Sequence, residues 1–300
     1  MTEITLLDGS IGQELVRRLG DRSVPLWSAR VMIEQPDVVR EVHDTYFDAG
    51  ATVATTNTYP VLRHRLRRVG LDDEVGRLAD IAVSSARAAQ ERAGKGRVAG
   101  SLGPLGTSYR VDVYPSVAEA VELYAELLRD LRDRVDLLLV ETMASVEQAE
   151  GALKAVAKHG NGRPVWLSVT VADDDGTRLR SGEPLDQLAP LVERYGPAAV
   201  LINCSPPEVI GAGLEIIGRF GVPFGAYGNG FTRISEGFLK DAPTVDALEQ
   251  RTDLTPEAYA NFAMGWVEQG ATIVGGCCEV GPDHIAELAR RLRSAGHEIV

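Results

Sequence analysis

Apolar positions along the chain gather into eight short runs bounded by glycine, proline and polar residues. Between the runs the hydrophobic spacing changes to the three-and-four rhythm of amphipathic helices. The runs are Ile4 to Ser10, Ala51 to Tyr59, Arg97 to Pro104 and Val135 to Thr142, then Pro164 to Val171, Ala198 to Ser205, Pro223 to Gly230 and Ala271 to Cys278. Helical periodicity is clear over Asp37 to Ala49, where Val38, Val39, Val42, Tyr46 and Phe47 recur at helical spacing and Pro36 stands just before the first turn. Val117 to Arg134 and Glu257 to Gln269 read the same way. Most strand runs are nearly continuous rather than alternating, the pattern of strands covered on both faces in a parallel sheet. Strand followed by helix, eight times over, predicts an α/β chain folded as a single (β/α)8 TIM barrel over residues 1–300. Ile11 to Gly50 and Phe231 to Gly270 are too long for a bare helix, so extended connections are expected after strands 1 and 7.

Composition sharpens this picture. A hydrophobic fraction of 44% with 25% charged residues over 300 residues is enough to bury a substantial core, which argues against extensive disorder. The formal net charge of −12 opposes binding to nucleic acid or an anionic membrane surface, because both begin with Lys and Arg meeting phosphate. Met1 to Ser10 shows no basic segment leading into an apolar run, and no stretch of about 18 apolar residues follows anywhere. A cytoplasmic protein is the expectation. The run Asp173, Asp174, Asp175 reads as a solvated turn, since no spaced set of acceptors follows it.

The chemistry is concentrated in 3 cysteines, an odd number poorly suited to structural disulfides. Cys204 closes the sixth run and Cys277 with Cys278 closes the eighth, so in a barrel all three reach the C-terminal mouth where such folds place their active sites. Gly275 and Gly276 just before the pair permit unusual backbone angles or a close approach to a ligand. Three thiolates at one point repel unless a cation joins them. Zn2+ suits soft sulfur ligands, and a catalytic zinc keeps three protein ligands and one open position. A substrate thiol in that position would be deprotonated, and attack on an activated methyl group is its natural use. On spacing alone the cysteines read equally well as small buried hydrophobes. A Cys nucleophile of a metal-free lyase or hydrolase also remains open, although it leaves the Gly-Gly-Cys-Cys segment unused. A dinucleotide fingerprint is excluded by the spacing of Gly100, Gly103 and Gly106.

Gly275, Gly276, Cys277 and Cys278, together with Asn203 and Cys204, resemble the zinc-binding signature of the homocysteine S-methyltransferase family. The resemblance extends to Asp8 and Gly9, to Thr56, Asn57 and Thr58, to Gly100 through Pro104, and to Glu141 with Thr142. It implies Cys204, Cys277 and Cys278 as catalytic metal ligands and methionine, formed from homocysteine and a small methyl donor, as product. Asp8 and Glu141 are then expected to meet the amino group of homocysteine. Gly9, Asn57, Asn203 and Asn229 are further substrate-binding candidates, with the Asn229 amide oxygen a candidate for the metal's fourth position. Ser10 departs from the family's Gly or Ala, and Gly228-Asn229-Gly230 departs from its Pro-Asn. Pro25, Leu26, Trp27, Ser28 and Ala29 are similar to the stand-alone branch that uses sulfonium donors such as S-methylmethionine. Trp27 and Tyr59 are candidates for shaping the donor pocket through cation-π contact. His43, His64, His159, His284 and His297 fall away from strand ends and are not expected to bind metal. S-adenosylmethionine, betaine or a methylfolate as donor, a selenol as acceptor, and a non-catalytic zinc or thiol-binding barrel remain alternatives. The oligomeric state is open.

Overall fold

The computed structural model describes residues 2–19, 27–232 and 251–300, and every side chain among them but those of Val16 and Trp27. Strand β1 (Glu3–Leu6) leads into helices α1 (Ile11–Leu19), α2 (Trp27–Glu34) and α3 (Pro36–Ala49). Then come β2 (Val53–Thr55), α4 (Arg63–Leu66), α5 (Val75–Ala93), β3 (Arg97–Leu102), α6 (Val117–Leu131), β4 (Leu137–Met143) and α7 (Val146–His159). The chain continues through β5 (Val165–Val169), α8 (Ala189–Tyr195), β6 (Ala199–Asn203), α9 (Pro207–Ile217) and β7 (Phe224–Tyr227). It ends with α10 (Pro256–Glu268), β8 (Ile273–Val274), α11 (Pro282–Ser294) and β9 (Glu298–Ile299). Local chemistry explains the helix ends. Pro36 opens α3 with its φ already helical, and Gly50 at φ 112° closes it in a left-handed conformation. Ser116 and Glu119 form a reciprocal capping box that starts α6.

Among the described residues the nine strands form one curled parallel sheet in the order β2-β3-β4-β5-β6-β7-β8-β1-β9. Its first and last parts meet: Leu7, just past β1, bridges Val53 of β2 in parallel, and the Thr52 amide donates to the Leu6 carbonyl at 2.7 Å. Two apolar clusters result. The larger lies between sheet and helices. The smaller is enclosed by the curl and takes Leu7, Val53, Ala99, Leu139, Trp166, Leu201, Tyr227 and Ile273, one from each of the first eight strands or its immediate end. Cys277 packs against that inner cluster. Both faces of the sheet are therefore dry, which is why the strands read as continuous apolar runs.

Most strands end short of their apolar runs, although β4 continues past Thr142 to Met143. β1, β2, β6, β7 and β8 end at Leu6, Thr55, Asn203, Tyr227 and Val274, short of the ends of the apolar runs, with single backbone bonds continuing at Leu7, Thr56 and Cys204. Beyond those points the backbone leaves the ladder and turns across the mouth, so the chemically active residues lie mostly on turns. β9, of two residues, was not expected; it pairs with β1 through Glu3 with Glu298 and Ile4 with Ile299. Among the described residues three helices lie in the connection after β1. Residues 233–250 of the connection after β7 lie outside the described residues, as do Pro25, Leu26 and the Trp27 side chain. Among the described residues no helix is long and apolar enough to cross a membrane.

His43 of α3 is fully buried, and neither ring nitrogen has a hydrogen-bond partner. Burial disfavours its charged form and lowers its pKa from 6.5 to about 4, against a weak opposing pull from Asp44. A base with a depressed folded-state pKa contributes stability above its unfolded value and loses it as pH falls. Between about pH 6.5 and 4 the protein should lose about 3 kcal/mol from this residue. His43→Leu is expected to narrow the gap between the melting temperatures at pH 7 and pH 4.5. An unchanged gap would show that acid sensitivity arises elsewhere.

Candidate active site

Cys204 follows β6 with φ 52°, a left-handed conformation that a cysteine rarely adopts. Its amide donates to the Tyr227 carbonyl at 3.2 Å and its carbonyl accepts from the Thr170 hydroxyl at 3.2 Å. The turn after β8 is held from three sides: Gly276 N donates to Asp8 O, Cys277 N to Gly228 O, and Gly230 N to Cys278 O. Glu279 at φ 64° completes it, clamped by the Gln13 side chain from α1. The preceding glycines act by close approach alone, because neither takes a positive φ. A Cβ on Gly275 would meet the Leu7 Cβ at 2.4 Å, and one on Gly276 would meet the Val280 Cγ1 at 2.1 Å. Absent side chains thus let the turn settle against β1 and upon itself.

The outcome is a sulfur cluster. Cys277 Sγ lies 3.0 Å and Cys278 Sγ 3.6 Å from Cys204 Sγ, and all three atoms fall within 4.8 Å of one another. Hydrogen bonds from Cys277 and Cys278 hold the Cys204 thiol well below its ordinary pKa. The same bonds, with burial, push Cys277 and Cys278 up. Tetrahedral zinc–sulfur bonds of about 2.3 Å separate sulfurs by roughly 3.8 Å, so these three could share one soft ion once Cys204 and Cys277 move slightly apart. Among the described residues no histidine or carboxylate joins the cluster.

Asp8 and Glu141 are buried carboxyls near the cluster. Asp8 accepts from the Thr55 amide at 2.6 Å and from its hydroxyl at 2.8 Å. Burial, with a smaller push from Glu141, raises its pKa to about 8 despite those bonds. Glu141 accepts from the Ser101 hydroxyl and, at 3.1 Å, from the Tyr227 hydroxyl, and burial raises it to about 7. Asn203 ties β4 to β6: its oxygen accepts from Thr142 N at 2.9 Å and Ser168 Oγ at 2.8 Å. Its nitrogen donates to Thr142 Oγ1 at 2.9 Å and lies 4.0 Å from Cys277 Sγ. Gly9 has no room for a side chain, since a Cβ would sit 2.1 Å from the Val280 carbonyl oxygen.

The other candidates form their side-chain hydrogen bonds with groups other than the sulfurs. Asn57 donates to the Ser28 carbonyl of α2 at 3.3 Å. The Asn229 amide oxygen accepts from Phe231 N at 3.3 Å, within its own turn. Tyr59 bonds Ser108 at 2.7 Å, and the Arg65 guanidinium already sits 4.9 Å from its ring centroid. Three contacts of the site carry no sequence signal. Ser101 and Tyr227 hold Glu141 from within apolar runs. Tyr109, in the loop after β3, brings its hydroxyl to 2.8 Å from Cys204 Sγ. Only the expectation that a buried tyrosine hydroxyl finds a polar partner points toward it.

Comparison with known proteins agrees with this geometry. Residues 5–292 match the homocysteine S-methyltransferase family. Homocysteine S-methyltransferase of Escherichia coli is 31% identical over 309 residues, covering 96% of this chain and 95% of that protein. Selenocysteine methyltransferase of Astragalus bisulcatus is 27% identical, covering 96% of this chain and 92% of its own. The crystal structure of the Escherichia coli homocysteine methyltransferase MmuM in its metallated form superposes with a TM-score of 0.80 at 29% identity, covering 96% of each chain. Fold, sulfur cluster and likeness together define an enzyme that transfers methyl groups to sulfur. The chain belongs to the homocysteine S-methyltransferase family, whose reaction is methyl transfer to homocysteine.

Proposed function

We propose that residues 1–300 form one (β/α)8 barrel, closed between β1 and β2 and extended after strands 1 and 7. The enclosed cluster fed by eight strands and the Leu7–Val53 bridge support this reading. Within it Cys204, Cys277 and Cys278 hold Zn2+, and the observation that carries this is the convergence of three Sγ atoms within 4.8 Å of one another at the mouth. When bound, zinc lowers the pKa of a coordinated substrate thiol so that it is a thiolate at neutral pH.

The chain's own residues bind and orient the partners. Asp8 and Glu141 take the α-ammonium group of homocysteine as carboxylates, with the Gly9 backbone beside it. Asn203 braces Cys277 from β6 and keeps β4 in register with it. Asn57 and Asn229 line the mouth and orient the bound substrates. The donor is a sulfonium compound, S-methylmethionine or S-adenosylmethionine, as the resemblance at Pro25 to Ala29 suggests. In the transfer the thiolate electron pair forms the new carbon–sulfur bond. The bond from methyl to donor sulfur breaks with its pair remaining on that sulfur, so the donor leaves as a neutral thioether. Charge disappears in the step, so excluding water from the mouth favours it.

Anaerobic turnover of zinc-loaded protein with homocysteine and, separately, S-methylmethionine, S-adenosylmethionine and betaine tests the reading, with methionine scored by mass. Methionine is expected from a sulfonium donor. Methionine from betaine alone would overturn the donor assignment. No methionine from any donor, with zinc retained, would sink the catalytic reading in favour of a binding protein.

A further inference from the structure

Cys204 and Tyr109 share an unusual property. Both are non-glycine residues in the left-handed region, at φ 52° and 67°, and their side chains meet at 2.8 Å. Such conformations persist only where the surroundings enforce them. Both are buried, but burial alone does not explain their mutual aim, because dispersion contacts have no direction.

A single side chain contacts the groups that hold both. Arg180 lies on the loop after β5, outside every motif of the sequence, with its side chain 11% exposed. Its guanidinium stacks 4.8 Å from the Tyr109 ring centroid. Its Nε donates to Thr170 Oγ1 at 3.1 Å, and that hydroxyl donates to the Cys204 carbonyl at 3.2 Å. Its outer nitrogen pairs with Asp173, and its backbone amide donates to Thr170 O at 3.3 Å. The run Asp173 to Asp175 is therefore more than a solvated turn. Its first member fixes the direction of a buried guanidinium.

We propose that Arg180 is a positioning residue for Cys204. Its flat face holds the Tyr109 hydroxyl on the sulfur while its Nε holds the Thr170 hydroxyl on the carbonyl, so the left-handed Cys204 is gripped at both ends. The inference rests on the reading of the cysteines as zinc ligands. Cys277 and Cys278 need no such device, since backbone hydrogen bonds and close-packed glycines fix their turn. Cys204 stands alone at its strand end and is the sulfur that can swing away. An arginine is required because a lysine offers a point charge with neither a stacking plane nor a placed Nε.

Zinc affinity measured by chelator competition, together with the thiolate-to-metal absorption of the cobalt(II)-loaded protein, tests the inference without relying on turnover. Arg180→Met is expected to weaken zinc binding by roughly 10- to 100-fold and to reduce the cobalt–thiolate band, the range seen when groups orienting a metal ligand are lost. Arg180→Lys should fall within about threefold of Arg180→Met, because charge alone does not restore the grip. Tyr109→Phe, which keeps the ring and its packing, should weaken binding by about tenfold and decides the matter should Arg180→Met not fold. Wild-type affinity and an unchanged cobalt band in Arg180→Met and Tyr109→Phe, in a protein whose wild type binds zinc, would overturn the inference alone. Failure of the wild type to bind zinc would remove the metal reading and this inference with it.

Discussion

Replacing Cys277 with alanine is expected to lower methionine formation on the order of 10³-fold at pH 7 and to abolish stoichiometric zinc binding. Two losses combine. A thiol of ordinary pKa near 8.5 is only about 3% thiolate at pH 7, roughly a thirtyfold deficit in nucleophile. A substrate no longer fixed at its sulfur also forfeits the orientation that makes the attack effectively unimolecular, worth at least another factor of about 30. The pH profile separates these terms. Residual activity of the variant should climb nearly tenfold per unit below the thiol pKa as the substrate ionises by itself, whereas wild-type turnover should stay nearly flat. The two sulfurs left behind still sit close together at the mouth, so the variant should fold and melt near the wild type. A variant that keeps zinc and turns over within tenfold of the wild type would remove Cys277 from the ligand set.

That the three sulfurs meet was legible in the sequence, for identifiable reasons. Adjacent cysteines after two glycines are a rare local pattern, and eight continuous apolar runs place Cys204 and the pair at equivalent strand ends. Parallel strands dry on both faces leave a strong apolar signal, whereas their C-terminal limits do not. The strands end at Thr55 and Val274 while Thr56, Asn57, Gly275 and Gly276 beyond them remain buried, so the buried run continues past the strand into the turn. The glycines were legible as necessary but not in their role. Gly275 is small because Leu7 presses against it from the other end of the chain, a contact that leaves no local trace, and Gly276 because Val280, later in the same turn, folds back upon it. The same holds for Arg180 and Gln13, single polar residues that reach Tyr109 and Glu279 on distant segments of the chain. Ser101 and Tyr227 were hidden inside apolar runs, where one hydroxyl does not disturb the pattern.

Glu141→Gln is expected to raise KM for homocysteine by roughly 10- to 100-fold while kcat stays within a few-fold, the effect of losing a charge-assisted hydrogen bond to a group that does not react. The electrostatics of the site give this prediction a second readout. Burial holds Asp8 near a pKa of about 8 and Glu141 near about 7, so without substrate these carboxyls retain protons at neutral pH. An arriving ammonium group favours the ionised forms and drives those protons out. Homocysteine binding to the zinc-free protein at pH 7, where the substrate thiol keeps its proton, should therefore release about one proton, and affinity should strengthen from pH 6 toward pH 8. Stability without substrate runs the other way. An acid whose folded-state pKa is raised contributes most below its unfolded value near 4 and loses that contribution as pH rises through 7 and 8. The thermal shift produced by homocysteine should accordingly grow with pH over the same window. Calorimetry in phosphate and in Tris measures the proton directly, as the difference in binding heat between buffers of unlike ionisation enthalpy. Equal heats in both buffers, with KM unmoved by Glu141→Gln, would assign the two carboxyls to holding β2, β3 and β7 around the mouth and would leave substrate recognition to other groups.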